Sequence, residues 1–543
     1  MSGSLLSIGQ SGLAAANLAL ATTSHNIANV NTPGYSRQEV VQRAAMAGFS
    51  GAGFSGKGVE VVNIQRVASA FLTQQAHIAT ANASASNTAL EYLNRIADNL
   101  TSDETSLSSS VDGFFSSLQD LSATPSGSTE RQSVISAAQS LVNRFNSLDE
   151  SLTSMSSEIG QRLQTAASQI NTYAGQIAKL NDQIALQMGS GLTPNDLLDQ
   201  RDQLIRSVSD LTSVSLVDQG DGRVNVFLPS GDALVLGSQS TQLVVQRDES
   251  DPAQFRLAAQ GAATGGVART IQGSIDLGGT VGGLMSVQSN IADSRNELGR
   301  IAIAFGDAIN KQQALGQDIK GVQGTNLFDI GSPSAFPIST ATGSLNVSFA
   351  DTTALQSSDY QLDYDGTQYT VTRKSDGVKT AFTSLPQTID GMSIAAGTAL
   401  AAGDSFIIQP TRGGAGNLKL AFTNPDKIAA ASLSAATTAT GDNTNVRAMA
   451  ALATKALVDG KTIANANAQL MGKIGNAASA KGIEATANQR LLDQVTTQEQ
   501  SVSGVNLDEE AANLLRYQQA YQASAKAIAI AGEVFKTILD IMG

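Results

Sequence analysis

Hydrophobic residues follow a regular spacing over residues 134–184, where they alternate steps of four and three. They are Val134, Ala138, Leu141, Phe145, Leu148, Leu152, Met155, Ile159, Leu163, Ala166, Ile170, Tyr173, Ile177, Leu180 and Ile184. This spacing is typical of a helix that packs along one stripe. The extra four-residue step from Ile159 to Leu163 is a stutter, which locally relaxes a supercoil. At 1.5 Å per residue, the pattern predicts a rod of roughly 75 Å.

Both ends of the chain carry a seven-residue hydrophobic repeat. The repeat positions are Leu6, Leu13, Leu20 and Ile27 at the start, and Leu507, Leu514, Tyr521, Ile528 and Phe535 at the end. A seven-residue repeat keeps one stripe of a helix facing a partner. Residues 1–36 contain no Lys, Arg, Asp or Glu. A helix with a water-facing side normally carries charge there, so we expect the terminal helices to be enclosed by helices of neighbouring subunits.

Alternating patterns between the helical blocks predict β-strands. The clearest is YQLDYDGTQYTVTR (residues 360–373), in which Asp365-Gly366 predicts a hairpin turn. GDSFIIQP (residues 403–410) is a second strand pattern, and Val224, Val226 and Leu228 alternate earlier in the chain.

These patterns predict a mainly α fold with a β insert. A terminal coiled-coil domain comprises residues 1–36 and 503–543. A helical bundle comprises 37–324 and 431–502, with a small β-hairpin region at about 213–275. An inserted β-rich outer domain comprises 325–430.

The charge balance and composition exclude several classes of function. The formal net charge of −13 argues against duplex nucleic acid or an anionic membrane as a partner. The chain has no Cys and two His, which argues against a thiol nucleophile or a multi-His metal site. No run reaches 18 consecutive apolar residues, and no basic segment precedes the first apolar residues, so we expect neither a transmembrane helix nor a cleaved signal peptide.

Two short segments resemble ligand-binding motifs without completing them. GAGFSGKG (residues 51–58) has P-loop spacing, but Gly58 stands where a Ser or Thr would bind Mg²⁺. DYDG (residues 363–366) lacks the later acidic ligands of a calcium loop. The first is better explained as a Gly-rich loop between extended segments and the second as a hairpin turn, so we expect no cofactor and no metal. Acidic and basic residues in LDQRDQLIRSVSDL (residues 198–211) predict surface ion pairs on a helix, and Thr193 before it predicts an N-cap.

The segment SHNIANVNTPGYSRQ (residues 24–38) predicts where the first helix ends. Asn29 can bond a carbonyl at the helix end, and Pro33 pushes the preceding residue out of the helical region. Pro33 and Gly34 suit the central positions of a type II turn. Arg37 is the first charged residue, so this segment is interpreted as the exit from an enclosed core.

The two ends resemble the axial proteins of the bacterial flagellum. SLLSIGQSGLAAANLALATTSHNIANVNTPGYSRQ is similar to their N-terminal segment, and SGVNLDEEAANLLRYQQAYQASAKAIAIAGEVFKTIL to their C-terminal segment. Three features favour the proteins between hook and filament: NTPGYSRQ, the chain length, and PNDLLDQRDQLIRSVSDL followed by DGRVNVFLPSGDALVLG.

The resemblance implies a structural, non-enzymatic protein that is exported without a cleaved signal and assembles outside the cell into a ring. It implies contacts with the hook protein and a second junction protein, and an export chaperone on the C-terminal helix. The expected assembly interface consists of Leu6, Leu13, Leu20, Asn26, Ile27, Asn29, Pro33, Gly34, Tyr35, Leu507, Leu514, Tyr521, Ile528 and Phe535. A hook or distal-rod protein, or a secreted helical translocator or effector, stays as the alternative.

Overall fold

The computed structural model describes residues 2–50, 53–101, 106–249, 251–260, 268–271, 277–338, 341–434 and 440–542. These residues form helices α1 (Ser2–Ala28), α2 (Ala70–Thr101), α3 (Leu107–Ala123), α4 (Ser128–Gly189), α5 (Asn195–Leu211), α6 (Gly279–Gln313), α7 (Gly414–Asn417), α8 (Thr444–Ala450), α9 (Ile463–Ser503) and α10 (Leu507–Met542).

The strands before α6 are β1 (Gln38–Ala44), β2 (Gly48–Ser50), β3 (Gly53–Ser55), β4 (Val59–Arg66), β5 (Ser215–Asp218), β6 (Val224–Phe227), β7 (Ala233–Leu236), β8 (Gln239–Ser240), β9 (Gln242–Asp248), β10 (Asp251–Gln260) and β11 (Arg269–Thr270). Those after α6 are β12 (Gly316–Gln317), β13 (Phe328–Asp329), β14 (Ser334–Pro337), β15 (Ser344–Phe349), β16 (Tyr360–Tyr364), β17 (Tyr369–Arg373), β18 (Lys379–Phe382), β19 (Gln387–Ile389), β20 (Met392–Thr398), β21 (Ser405–Gln409), β22 (Lys419–Leu420) and β23 (Ala431–Ser432).

All pairings between these strands are antiparallel. β1 pairs with β4 and β2 with β3, which makes a β-ribbon of residues 38–50 and 53–66. Two small sheets, β5-β6-β7-β8 and β11-β10-β9, follow α5. A five-stranded sheet, β14-β21-β16-β17-β18, and a three-stranded sheet, β15-β20-β19, lie between α6 and α7. Strands β12 and β13, which precede these two sheets in the chain, pair with β23 and β22, which follow them.

The predicted hydrophobic stripe of residues 134–184 lies on α4, which runs 62 residues as one helix. Thirteen of its fifteen positions are buried, and Tyr173 and Leu180 are partly buried. Helices α2, α3, α5 and α6 pack around the stripe. In the same core Phe114 contacts Phe305 and Phe328 edge to face, and the rings of Phe305 and Phe328 are tilted against each other. The hydrophobic stripe of α4 is therefore buried by other elements of the same chain.

The predicted hairpin at residues 360–373 is β16 and β17, with Tyr364 paired to Tyr369. Asp365 closes the turn because its carboxylate accepts the N–H groups of Thr367 and Gln368. GDSFIIQP also forms a strand, β21. The mainly α fold with a β-rich region in the middle is thus confirmed.

Candidate assembly interface

α1 and α10 pack as an antiparallel pair. Near the start of α1, a Cβ at Gly9 would lie 2.7 Å from Ile528 Cγ1, and one at Gly12 would lie 2.8 Å from Ser524 Oγ. Beyond the other end of α1, Arg37 Nη1 donates to Glu509 Oε2 at 2.8 Å. As residue numbers rise along α1, they fall along α10, and the start of α1 lies beside the last part of α10.

Small residues on α1 allow this close approach. They recur at steps of three and four on one face of the helix: Gly9, Gly12, Ala16, Ala19, Thr23 and Asn26. All but the partly buried Gly12 are buried. We call this set the small-residue seam. Because glycine and alanine let two helix backbones approach closely, α10 packs on the seam.

The predicted stripe of α1 lies beside the small-residue seam. Leu13, Leu20 and Ile27 each follow a seam residue directly, and they are only partly buried. Leu6 is 39% exposed. Pairing with α10 therefore leaves the larger side chains of the repeat accessible from one flank.

The predicted residues of α10 are also incompletely covered. Leu514 and Ile528 are partly buried, while Leu507, Tyr521 and Phe535 are exposed. The contact of Gly9 with Ile528 sets a register in which residues beyond about 535 have no α1 residue opposite them. Other exposed apolar side chains on α10 are Leu515, Ile530, Val534, Ile538, Leu539 and Ile541. The pair thus ends in an apolar tip that α1 does not cover, which consists of Phe535, Ile538, Leu539 and Ile541.

The turn that follows α1 has the predicted geometry. Tyr35 N–H donates to Thr32 O at 3.2 Å, and Gly34 has φ +80°, as the third position of a type II turn requires. A Cβ at Gly34 would also lie 2.6 Å from Gln203 Oε1. Asn29 Nδ2 donates to His25 O at 3.0 Å, which confirms its expected role at the helix end.

Asn26 and Tyr35 meet inside this turn. Asn26, 1% exposed, donates to Gln38 O at 2.9 Å and accepts from Gln38 N at 3.0 Å. Tyr35 Oη donates to Asn26 Oδ1 at 2.7 Å. Burial and the nearby carboxylate of Asp199 raise the pKa of Tyr35 well above its usual value. The hydroxyl therefore remains a donor, and the turn is fixed to the last buried residue of α1.

The start of α5 holds the same turn on the bundle. Ser36 N–H donates to Asp199 Oδ2 at 3.1 Å, and Gln38 Nε2 donates to Asp196 Oδ1 at 3.0 Å. Arg66 Nη1 contacts Asp199 and Asp202, each at 2.8 Å. Burial raises the pKa of Asp199, and Arg66 and the Ser36 N–H oppose that rise. Two segments singled out in the sequence, NTPGYSRQ and PNDLLDQRD, thus contact each other.

Two sequence predictions for this segment are wrong. Asp199 and Arg201 are buried, so their ion pairs and hydrogen bonds are not on a solvated helix surface; Arg201 Nη1 donates to Gly222 O at 2.6 Å. The helix also begins at Asn195, with Pro194 at the N-cap and no capping side chain, instead of at a Thr193 cap. Asp196 is engaged by Gln38. These polar groups bond with residues elsewhere in the fold, whereas the local pattern predicted bonds within the helix.

A cleft of about 690 Å³ lies between this turn and helices α4 and α5. His25, Pro33, Tyr35, Lys179 and Gln200 are among its lining residues. Across the described residues, no group of three or more His, Cys, Asp or Glu is placed to hold a metal ion. By length and composition alone, Leu5–Ala28 of α1 would suffice to cross a membrane, a property that a helix enclosed by other helices shares.

Family models match four parts of the chain. "Flagella basal body rod protein" matches residues 6–35, and "Flagellar hook-associated protein FlgK helical domain" matches 93–328. "Flagellar hook-associated protein 1, D2-like domain" matches 338–410, and "Flagellar basal body rod FlgEFG protein C-terminal" matches 498–541.

Similar proteins extend over the whole chain. Flagellar hook-associated protein 1 of Salmonella typhimurium is 37% identical, over 99% of this chain and 100% of that protein. The protein of the same name in Escherichia coli is 33% identical, with the same coverage of both chains. The solved structure of the flagellar hook junction protein FlgK from Burkholderia pseudomallei superposes with a TM-score of 0.72 at 26% identity, over 79% of this chain and 100% of that one.

Proposed function

The chain belongs to the flagellar hook-associated protein 1 family, and from that premise we propose that it builds the junction between hook and filament by packing its α1–α10 pair against neighbouring subunits. It is a structural protein of the bacterial flagellum.

The observation that carries this proposal is the incomplete cover of the terminal pair. The small-residue seam joins α1 to α10, but Leu6 and the apolar tip are exposed, and Leu13, Leu20 and Ile27 are only partly buried. Several exposed large apolar side chains close together on two adjacent helices mark an interaction site. The lack of charge in residues 1–36 favours other helices as the surroundings, because a charge buried among them would need a partner.

The proposed architecture follows the division expected from the sequence. Residues 1–36 and 503–543 would form the inner core of the tube, and 37–324 with 431–502 the next layer, including the β-hairpin region at about 213–275. Residues 325–430 would carry the outer β-rich domain. Phe328 and Leu418, near the two ends of that insert, pack in the core of the bundle, while the separate outer core comprises residues between Ala335 and Ile408.

The proposed partners cover the ends of the ring. We expect the hook protein on one side and a second hook–filament junction protein on the other, with no enzymatic activity and no cofactor. Before assembly the exposed apolar positions of α10 need cover, which supports an export chaperone on residues 507–542. Export without a cleaved signal would then place the protein outside the cell.

The test is to place a charge on the apolar tip. In a strain that lacks its own copy, Phe535→Glu should abolish motility and release filament protein into the medium, because a charge there would be buried without a partner. The matched control is Ile483→Glu on α9, which is 71% exposed and lies outside the terminal pair; it should leave motility unchanged.

Both variants should unfold at the wild-type denaturant concentration, and the amount of each variant in the medium distinguishes a failure of assembly from a failure of export. Normal filaments in the Phe535→Glu strain would contradict the proposal. Deletion of residues 507–543 provides the stronger version, and normal filaments there would also exclude a hook or rod role.

A further inference from the structure

The bundle and the outer β-rich region have separate hydrophobic cores. The outer core includes Tyr360, Leu362, Val371, Met392 and Phe406, and it shares no described residue with the core around α4. The chain enters the outer region before β14 and leaves it after β21. The relative position of the two bodies therefore depends on the contacts at this crossing.

Those contacts are mainly polar and lie along α6. Thr352 Oγ1 donates to Asp307 Oδ2 at 2.5 Å, and Arg300 Nη1 donates to Leu355 O at 3.4 Å. The returning segment is held on the bundle side, because Thr411 Oγ1 donates to Asn296 Oδ1 at 3.0 Å.

A glycine makes the approach of that segment possible. A Cβ on Gly299 of α6 would lie only 1.8 Å from Thr411 O. Arg412, the next residue, is consequently fixed relative to α6 and belongs to the bundle side of the crossing.

Arg412 joins the two bodies through two carboxylates. Its Nη1 donates to both oxygens of Asp251, at 2.7 and 2.6 Å, and Asp251 begins β10 of the bundle. Its Nη2 donates to Asp359, which precedes β16 of the outer region. All three side chains are buried. We call Asp251, Asp359 and Arg412 the Arg412 ion cluster.

Most of the other charged groups around this cluster are engaged in ion pairs of their own. A cleft of about 290 Å³ adjoins it. The other charged groups of that cleft are Asp248 and Arg256 from the β9–β10 hairpin, Asp293 from α6, and Lys374 from the end of β17. Asp248 is engaged by Arg256, and Asp293 by Lys473. Within the cluster itself one guanidinium serves two carboxylates. Gln409 Nε2 adds longer bonds to both, at 3.4 and 3.5 Å, but it carries no charge, so Arg412 supplies the cation that holds them together.

We propose that the Arg412 ion cluster is a releasable joint that fixes the angle of the outer β-rich region on the helical bundle. With Arg412 in place the joint is closed. Without its charge, Asp251 and Asp359 repel each other in a buried site, and the outer region moves away about the two chain crossings. The inference is independent of the proposed assembly of α1 and α10.

The closed joint also responds to pH. Burial raises the pKa of Asp359 to about 6, while Arg412 opposes the shift. When the joint opens, water returns that pKa toward its usual value near 4. The closed state therefore binds the proton more readily, so acid favours closing. Between pH 5 and pH 8 the ratio of open to closed molecules should rise by about tenfold.

The experiment measures a distance across the joint in the full chain. Because the chain has no cysteine, Thr165→Cys on α4 and Thr380→Cys on β18 give two unique spin-label sites, both exposed. Double electron–electron resonance should show one narrow distance in the parent and an added longer distance in Arg412→Met. Arg295→Met is the matched control, since Arg295 pairs with Asp149 inside the bundle at 2.8 Å; it should keep the parent distance.

Asp359→Asn keeps the inference falsifiable if Arg412→Met fails to fold. The parent should gain the longer distance between pH 5 and pH 8, and Asp359→Asn should not change with pH. The proposal is overturned by an unchanged distance in folded Arg412→Met, or by a pH response that is absent in the parent or identical in Asp359→Asn.

Discussion

The stripe of α4 and the stripes of α1 and α10 follow the same spacing but end in different environments. Phe145 on α4 has no exposed surface, whereas Phe535 on α10 is 53% exposed. Elements of the same chain enclose α4, whereas α1 is covered by α10 and by strands β1 and β4, and α10 packs mainly on α1. The comparison teaches that a hydrophobic repeat reports the need for a partner and does not tell whether the partner lies in the same chain.

Composition separates the two kinds of stripe. α4 carries exposed charged residues such as Glu150 and Asp182 away from its core face, as expected for a helix with one side in water. α1 carries none, and its seam consists of small residues. An uncharged polar helix face can be buried by other helices on several sides, because it brings no charge that would need a partner.

The largest expected difference comes from truncating Phe145. Phe145→Ala should lower the free energy of unfolding by about 3–5 kcal/mol, because it leaves a cavity in the core of the bundle. Urea unfolding followed by circular dichroism measures it. A decrease in the free energy of unfolding below about 1 kcal/mol would contradict the close packing of Phe145 in the core.

Acid should destabilise the bundle through His77 on α2. His77 is buried, its ring nitrogens have no hydrogen-bond partner in the described part of the chain, and burial lowers its pKa to about 4. In the unfolded state His77 binds a proton below its usual pKa near 6.5, whereas in the folded state it does so only near pH 4. The contribution of the neutral buried ring to the free energy of unfolding therefore falls as pH drops from about 6.5 to 4.

The loss at pH 4 amounts to roughly 3 kcal/mol by the size of the shift. His77→Phe should flatten the stability profile over that range. Parallel profiles for the parent and His77→Phe would contradict the prediction.

Two glycines distinguish the terminal pair from the bundle. A Cβ at Gly9 would press on Ile528, whereas one at Gly175 on α4 meets nothing within 4 Å. Gly175→Ala should gain up to about 1 kcal/mol from helix propensity. Gly9→Ala should instead loosen the pair, with faster hydrogen exchange of the amides in α1. Equal behaviour of the two variants would argue against packing through the small-residue seam.

The smallest effect on the isolated chain is expected at the apolar tip. Phe535→Ala should change the free energy of unfolding by less than about 0.5 kcal/mol, because the side chain has few neighbours to lose. Hydrogen exchange should likewise be fast over the last two turns of α10 and become slow on assembly. Strong protection there in the monomer would mean that the tip is covered within the chain.

Much of the fold was predictable because it depends on short-range patterns. The spacing of residues 134–184 identified α4, and the Asp365-Gly366 turn between alternating residues identified the β16–β17 hairpin. The turn at Pro33-Gly34 followed from the conformations that these two residues allow. Each of these depends on residues that lie near one another in the chain.

The polar contacts of the exit turn were not predictable in the same way. Asp199 binds Ser36 and Arg66, which lie more than 130 positions away. The spacing in LDQRDQ favoured local ion pairs, since nothing in it records a distant partner. Asp199 and Arg201 lie two positions apart, which is not the three- or four-residue spacing of one helix face, so the sequence gave no sign that both are buried.

By itself, the sequence determined the helical rod, the hairpins of the insert, the uncharged first helix and the need of both ends for partners. Only the tertiary structure decided that Gly9 and Gly12 bring α10 onto α1 and leave Leu6 and Phe535 facing outward. It also decided that Arg412 holds Asp251 and Asp359 together. The physical reason is that periodicity specifies which residues share a face, whereas close packing and buried charge depend on what the fold places opposite that face.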